Sequence, residues 1–205
     1  MSDVAIAISI LSFLVSGITL FLTQFRPPKL KCIVGSTIGL NHQDDGFSVY
    51  MPVTFTNEAH QPGLINRCSV LITPEGASSS FYIEWTEFRK RDDEKKTYGR
   101  DEFAGPLQVQ GRSSISKLVW FYWREGEFNF PDGRYTVEVF VWAENKDAPH
   151  IRQRHEFFLD VTESGALKNH KTNGKRTIEW VSVDKQIEPN KMLTVHEAAK
   201  LLGGK

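Results

Sequence analysis

The 205-residue chain has only two cysteines, Cys32 and Cys68, which excludes the multi-disulfide framework of many small secreted domains. Both lie in apolar runs, where a free thiol behaves as a small apolar side chain. A single bridge between them in an extracytoplasmic domain stays open. The chain also lacks net charge, with 25 basic and 25 acidic side chains. Phosphate-driven binding needs an excess of basic residues, so we expect no nucleic-acid partner.

Catalytic and cofactor-binding motifs are also missing from the sequence. There is no Gly-rich phosphate loop and no G-x-S-x-G, H-E-x-x-H or C-x-x-C motif. His42 stands two residues before Asp44 and Asp45, but carboxylates in such a turn usually bind the turn backbone. A metal there would need further ligands. We therefore predict no catalytic residue, no metal and no cofactor, and an enzyme is the least favoured class.

Charged side chains are missing from residues 4–22, an apolar run interrupted only by Ser, Thr and Gly. A helix of this length nearly spans a hydrocarbon core of about 30 Å. A cleaved signal peptide is disfavoured, because Asp3 is the only charge before the run and no small-residue cleavage site follows it. The core helix of a soluble domain would carry a stripe of charged residues on its outer face, and this run has none. The sequence predicts a transmembrane anchor over residues 1–25.

Basic residues flank the predicted span on one side only. No Lys or Arg precedes it, whereas Arg26, Lys29 and Lys31 follow at once. The positive-inside rule therefore predicts a single-pass protein of the inner or plasma membrane, with its N-terminus outside and its globular domain in the cytoplasm.

Small and hydroxyl-bearing residues recur along the span at alternating spacings of four and three, which places them on one helix face. This seam consists of Ala5, Ser9, Ser12, Ser16, Thr19 and Thr23. Small residues allow close helix packing in lipid, so the seam predicts association with itself or with a partner's span. In the other interpretation the hydroxyls bond back to their own helix and the seam faces lipid.

Residues 26–162 show short alternating runs separated by turn residues, with no helical pattern among them. In one run, alternate positions from Phe47 to Phe55 are apolar; Pro52 within it predicts an edge strand or a bulge. The charged stretch from Arg89 to Glu102 is predicted to be a solvated loop. About seven such strands predict a mainly β domain, an antiparallel two-sheet sandwich.

Three stretches resemble immunoglobulin-like sandwich domains: VYMPVTFTNEAHQPGLI, PLQVQGRSSISKLVWF and FPDGRYTVEVFVWAE. The Asp-Gly-x-Tyr-x-Val order in the third is typical of a turn and penultimate strand there. With its single span, the chain also resembles uncharacterised bacterial membrane proteins built this way. The Cys…Trp…Cys spacing of antibody domains is missing, so the resemblance implies the fold and not a function.

Residues 163–205 form a predicted tail that packs on the sandwich. RTIEWVSVD, at 176–184, reads as a strand that must bury its apolar residues. Thr194 and Glu197 form a capping box that predicts a short C-terminal helix from Val195 to Leu202.

Strand alternation predicts that several aromatic side chains point away from the core. This set is Trp120, Tyr122, Phe140, Trp142 and Phe158. An exposed patch of this kind would bind a protein or sugar partner. The favoured interpretation is that the C-terminal segment covers the patch.

These features predict a membrane-anchored protein-interaction module with no catalytic activity. Its expected partners are the lipid bilayer and either a protein or a second copy, bound through the transmembrane helix. The alternative is an envelope-facing domain whose aromatic faces bind a sugar or peptide, which requires the opposite orientation.

Overall fold

The computed structural model describes residues 2–43, 45–92, 94, 97–124, 128–144, 146–173 and 178–184, most of them in antiparallel strands. The helices in this part are α1 (Ser2–Gln24) and α2 (Val161–Asn173). The strands are β1 (Leu30–Val34), β2 (Thr37–Gln43), β3 (Gly46–Asn57), β4 (Gly63–Pro74), β5 (Phe81–Asp92), β6 (Thr97–Phe103), β7 (Leu107–Val109), β8 (Ser113–Trp123), β9 (Gly133–Ala143), β10 (Ile151–Leu159) and β11 (Glu179–Ser182).

Helix α1 confirms the predicted apolar helix at the N-terminus. Its segment Asp3–Phe21 is long and apolar enough to cross a membrane, and none of it is buried against the rest of the chain. A last turn follows, in which the Phe25 amide donates to the Phe21 carbonyl at 3.0 Å. Pro27 and Pro28 then stop the helix, since proline cannot continue its hydrogen bonding.

The strands form one sheet with the order β10-β9-β4-β5-β8-β3-β2-β11. The sheet has two walls, β10-β9-β4 and β8-β3-β2-β11, and strand β5 belongs to both of them. Residues 81–84 pair with β4, whereas residues 85–89 pair with β8, and the register shifts between Trp85 and Glu87. A bulge of this kind bends a strand and lets it pass from one wall to the other. The predicted mainly antiparallel β fold is confirmed.

The two ends of the strand order come together, so the sheet nearly closes into a barrel. Phe157 of β10 forms an isolated antiparallel bridge to Val183, just after β11. The amide of Asp184 continues this contact by donating to the Glu156 carbonyl at 2.7 Å. The inward faces of the strands fill the interior: Val137, Val139 and Val141 of β9 are all at most 1% exposed. Leu167 of α2 is also fully buried.

Pro52 does not mark an edge strand or a bulge, as the sequence had suggested. Strand β3 has β8 on one side and β1 followed by β2 on the other. The Pro52 carbonyl accepts a hydrogen bond from the Gly35 amide at 2.8 Å, so the position without an N–H faces the break between β1 and β2. The neighbouring strand is interrupted where proline cannot donate, and β3 stays continuous.

The charged stretch from Arg89 to Glu102 was predicted to be a loop, and this prediction is wrong. Its described residues form the end of β5 and most of β6, paired from Asp92–Thr97 to Phe88–Glu102. Strands tolerate charges on a face that points to solvent, and Lys117 of β8 pairs with Asp101 and Glu102 there.

Helix α2 was not predicted, although its start carries a recognisable signal. The Asp160 amide donates to Glu163 at 3.0 Å, and the Glu163 amide donates to Asp160 at 2.7 Å. This reciprocal pair is a capping box. The predicted terminal helix from Val195 to Leu202 lies outside the described residues.

Candidate functional site

Two of the predicted patch residues, Trp120 and Tyr122, lie on the outer face of β8. Their rings stack at 4.8 Å between centroids, and Tyr50 of β3 lies 6.4 Å from Trp120. Although Trp120 points away from the core, it is only 8% exposed. Something therefore covers this outer face.

The cover is provided by β6 and β11. Tyr98 of β6 lies 6.0 Å from the Tyr50 ring and 5.8 Å from the Trp180 ring of β11. Strand β6 is hydrogen-bonded to β5, which lies two strands from β3, so the β5–β6 hairpin crosses the outer face. Opposite Trp180, β2 has Gly39, whose missing side chain leaves room for Ile178 and Trp180.

A buried ion pair is set into this aromatic layer. The Glu87 side chain is 4% exposed and binds the guanidinium groups of Arg89 at 2.8 Å and Arg100 at 2.6 Å. The Arg89 guanidinium also lies 4.1 Å from the centre of the Trp120 ring. An unpaired buried charge is costly, so this network holds the hairpin in one position. The aromatic layer and this network together form a second, smaller core on the outer face of the sheet.

The other three patch residues lie elsewhere. Phe140 and Trp142 are on β9, three positions from β8 in the strand order. Arg67 lies 3.8 Å from the centre of the Trp142 ring, and the Trp142 indole donates to the Asp147 carbonyl at 3.3 Å. Phe158 of β10 is 49% exposed, the most of the five. The structure thus divides the predicted patch between two walls.

The seam residues of α1 lie on one exposed face, and three of their hydroxyls are already used. Ser9 donates to the Ala5 carbonyl at 2.9 Å, Thr19 to Val15 at 2.8 Å and Thr23 to Thr19 at 2.8 Å. Ser12 and Ser16 make no side-chain hydrogen bond within the described residues. Helix association through this face would therefore depend on close packing, with those two hydroxyls left to bond across it.

The turn between β3 and β4 binds the end of α1 and the residues that follow it. Gln61 donates its side-chain amide to the Thr23 carbonyl at 3.3 Å. Glu58 pairs with Lys29 at 2.8 Å and also binds Lys31. Hydrogen bonds from the two lysines lower the pKa of Glu58 to about 2. Sequence reasoning missed this contact, because the turn NEAHQPG and the exit of the helix are far apart in the chain.

A small pocket lies at the opposite end of β3, between β2, α2 and the segment before β9. Its volume is about 180 Å³, and its lining consists of His42, Asn129, Phe130, Pro131, Ser164 and Lys168. Of these, only His42 was considered from the sequence. The rest belong to an unpredicted helix and an irregular segment. Among the described residues, no cluster of three or more metal-ligating side chains occurs.

No protein-family model matches the chain, and no curated protein matches it either. Among solved structures, the chain is similar to a protein from Archaeoglobus fulgidus that is known from a crystal structure. The two are 12% identical with a TM-score of 0.31, and the match covers 66% of this chain and 99% of that one. This likeness says nothing about function.

Proposed function

We propose that the protein is a membrane-anchored interaction module without catalytic activity of its own, with α1 crossing the inner or plasma membrane. One observation carries this proposal. The large apolar side chains of α1 from Val4 to Phe21 are each between 54% and 79% exposed. So much apolar surface is stable in a bilayer and unfavourable in water.

The proposed orientation has the N-terminus outside and the β domain in the cytoplasm. Arg26, Lys29 and Lys31 support it, because basic residues within the first turns after a span favour the inner side. Glu58 pairs with both lysines, but acidic residues contribute little to this rule.

We also propose that the domain is a variant of the immunoglobulin-like fold. In that fold, strands A-B-E-D form one sheet and C-F-G the other. Here β2-β3-β8-β5 and β4-β9-β10 follow those orders, with β5 shared between the walls. Tyr135, at the start of β9, donates its hydroxyl to the Pro131 carbonyl at 2.7 Å. This contact is similar to the tyrosine corner of such domains.

The proposed partner is a membrane protein or a second copy of this chain, bound through the α1 seam. The covered aromatic layer supports the helix as the binding element, since Tyr50 and Trp120 are only 5% and 8% exposed. Small residues along α1 leave space for a second backbone.

The anchor and the orientation are tested together in cells that express the full chain. The protein should stay with membranes after carbonate extraction. A Ser79→Cys variant places a thiol in the exposed turn between β4 and β5. It should react with an impermeant maleimide only after lysis. The wild type, whose two cysteines are buried, measures the background labelling.

Two results would contradict the proposal. Recovery of the full chain in the soluble fraction would exclude the anchor. Labelling of the Ser79→Cys variant in intact cells would place the domain outside and favour the envelope-facing sugar- or peptide-binding alternative.

A further inference from the structure

We propose that the pocket lined by His42 and Lys168 binds a small oxyanion, a carboxylate or a phosphate. This inference goes beyond the proposed interaction function and does not depend on the membrane location.

The walls of the pocket belong to elements that are bonded to one another. The Ser164 hydroxyl of α2 donates to the Phe130 carbonyl at 2.7 Å, which joins the helix to the segment before β9. The Phe130 ring lies 5.5 Å from the His42 ring of β2. Leu167, next to the pocket residue Lys168, is fully buried and fixes α2 on the core. The pocket is therefore formed before any ligand binds, which lowers the entropic cost of binding.

The described lining residues carry a positive charge, from Lys168, and no negative one. Lys168 follows Ser164 by four residues and so lies on the same face of α2. None of the six lining residues is Asp or Glu. No ion pair of Lys168 occurs within the part of the chain that the structure describes. The ammonium group is thus available to an anion.

The remaining polar groups suit the same kind of ligand. His42 is 5% exposed and lines the pocket, and an imidazole N–H donates to oxygen acceptors. Asn129 also lines the pocket. Lysine is a common ligand of phosphate and carboxylate, and hydrogen bonds between charged groups are about twice as strong as neutral ones.

The size of the pocket limits the ligand. Pockets for drug-sized molecules measure roughly 300–1,000 Å³, whereas this one measures about 180 Å³. This volume matches inorganic phosphate or a short-chain carboxylate better than a whole nucleotide or lipid. Phe130 and Pro131 give one apolar wall, which favours a carboxylate with a short alkyl chain.

The test is calorimetric titration of the full chain in detergent micelles with inorganic phosphate, acetate and butyrate, at constant ionic strength. We expect saturable 1:1 binding of at least one of them. Lys168→Met should weaken it by roughly tenfold or more, the effect of losing one charge-assisted hydrogen bond. Lys90→Met, an exposed lysine on β5, is the matched control and should bind as the wild type does.

The pattern of binding identifies the ligand class. Tighter binding of butyrate than of acetate would show that the alkyl chain contacts the apolar wall. Binding of phosphate alone would identify the pocket as a phosphate site. Absence of saturable binding for all three probes would overturn the proposal, as would equal binding by Lys168→Met and wild type. If Lys168→Met melts earlier than wild type, Lys168→Gln replaces it and the same comparison applies.

Discussion

The Asp184 carboxylate lies 2.6 Å from Nδ1 of His155, and this contact joins the residues just after β11 to β10. Its other oxygen accepts a hydrogen bond from the Glu156 amide at 2.8 Å. Asp184 has a positive φ of 51°, a conformation that Asp and Asn adopt more readily than most residues. One side chain therefore bonds across the point where the barrel nearly closes.

We expect Asp184→Ala to lower the free energy of unfolding by about 1–2 kcal/mol, because the His155 ring and the Glu156 amide both lose their acceptor. Asp184→Asn should cost less, since an Asn oxygen can still accept from the Glu156 amide and Asn tolerates a positive φ. Urea unfolding followed by tryptophan fluorescence measures both. Equal stability of Asp184→Ala and wild type would show that the contact does not hold the strands together.

Gly39→Ala should disturb the pairing of β11 with β2 and the packing of Ile178 against it. An added Cβ would lie 2.5 Å from Cγ2 of Ile178 and 3.2 Å from Cβ of Tyr50. The clash should lower the melting temperature by several degrees, equivalent to about 1–3 kcal/mol of overpacking. Gly105→Ala is the control, because its added Cβ meets nothing within 4 Å. Identical melting of the two variants would contradict the packing of Ile178 against β2.

The Glu58 pair should make the stability of the domain sensitive to acid. Because Lys29 and Lys31 lower its pKa from 4.5 to about 2, Glu58 contributes stability above pH 4.5 that is lost as the pH falls towards 2. Glu58→Gln should therefore melt earlier than wild type at pH 6, and the difference should shrink by pH 2.5. Glu75→Gln, in the exposed β4–β5 turn, is the control. A difference that stays constant with pH would refute this role.

Both cysteine thiols should be inert in the folded protein. Cys32 is 2% exposed and Cys68 is fully buried, and burial raises the pKa of Cys32 to about 12 and that of Cys68 well above its ordinary value. Only the thiolate reacts, so alkylation at pH 7.5 should be on the order of a thousandfold slower than at the Ser79→Cys thiol. Mass spectrometry after timed labelling measures this. Rapid alkylation of the native wild type would contradict the burial of both residues.

Replacing Ser9, Ser12 and Ser16 by Leu should reduce self-association, or partner capture, through α1. The larger side chains keep two helices apart and remove hydroxyls, each worth about 0.6 kcal/mol when bonded across an interface. The control replaces Leu11, Leu14 and Leu20 by Ile, off the seam. Crosslinking in membranes and co-purification of membrane proteins measure both. If the Ser-to-Leu variant behaves as the wild type in both assays, the seam faces lipid.

Alternation along single strands was predictable because it depends on local sequence. The inward positions of β9, from Val137 to Val141, follow the period of two that any half-buried strand shows. The same rule places Phe158 outward. The Arg89–Glu102 stretch was misread because its charges resemble a loop, whereas Tyr98 and the Glu87 network give the hairpin its packing.

The arrangement of the outer face was not predictable in this way. Trp120 alternates as an outward residue and is nevertheless 8% exposed, because a hairpin from elsewhere in the chain crosses it. The pocket could not be predicted for the same reason. Ser164 and Phe130 are 34 residues apart in sequence and come into contact only when α2 packs on the domain. The α2 capping box at Asp160 and Glu163 is a local signal that the sequence does contain, directly after β10.

The short connection between α1 and β1 limits where the domain can work. Five residues, Phe25 to Lys29, separate the two elements. Fully extended, they span at most about 18 Å, and Gln61 ties the turn after β3 to the end of the helix. If α1 crosses a bilayer, the domain cannot search the solution for a partner. It would move with its helix by lateral diffusion and meet only molecules that are themselves at the membrane surface, where weak contacts benefit from a high effective concentration.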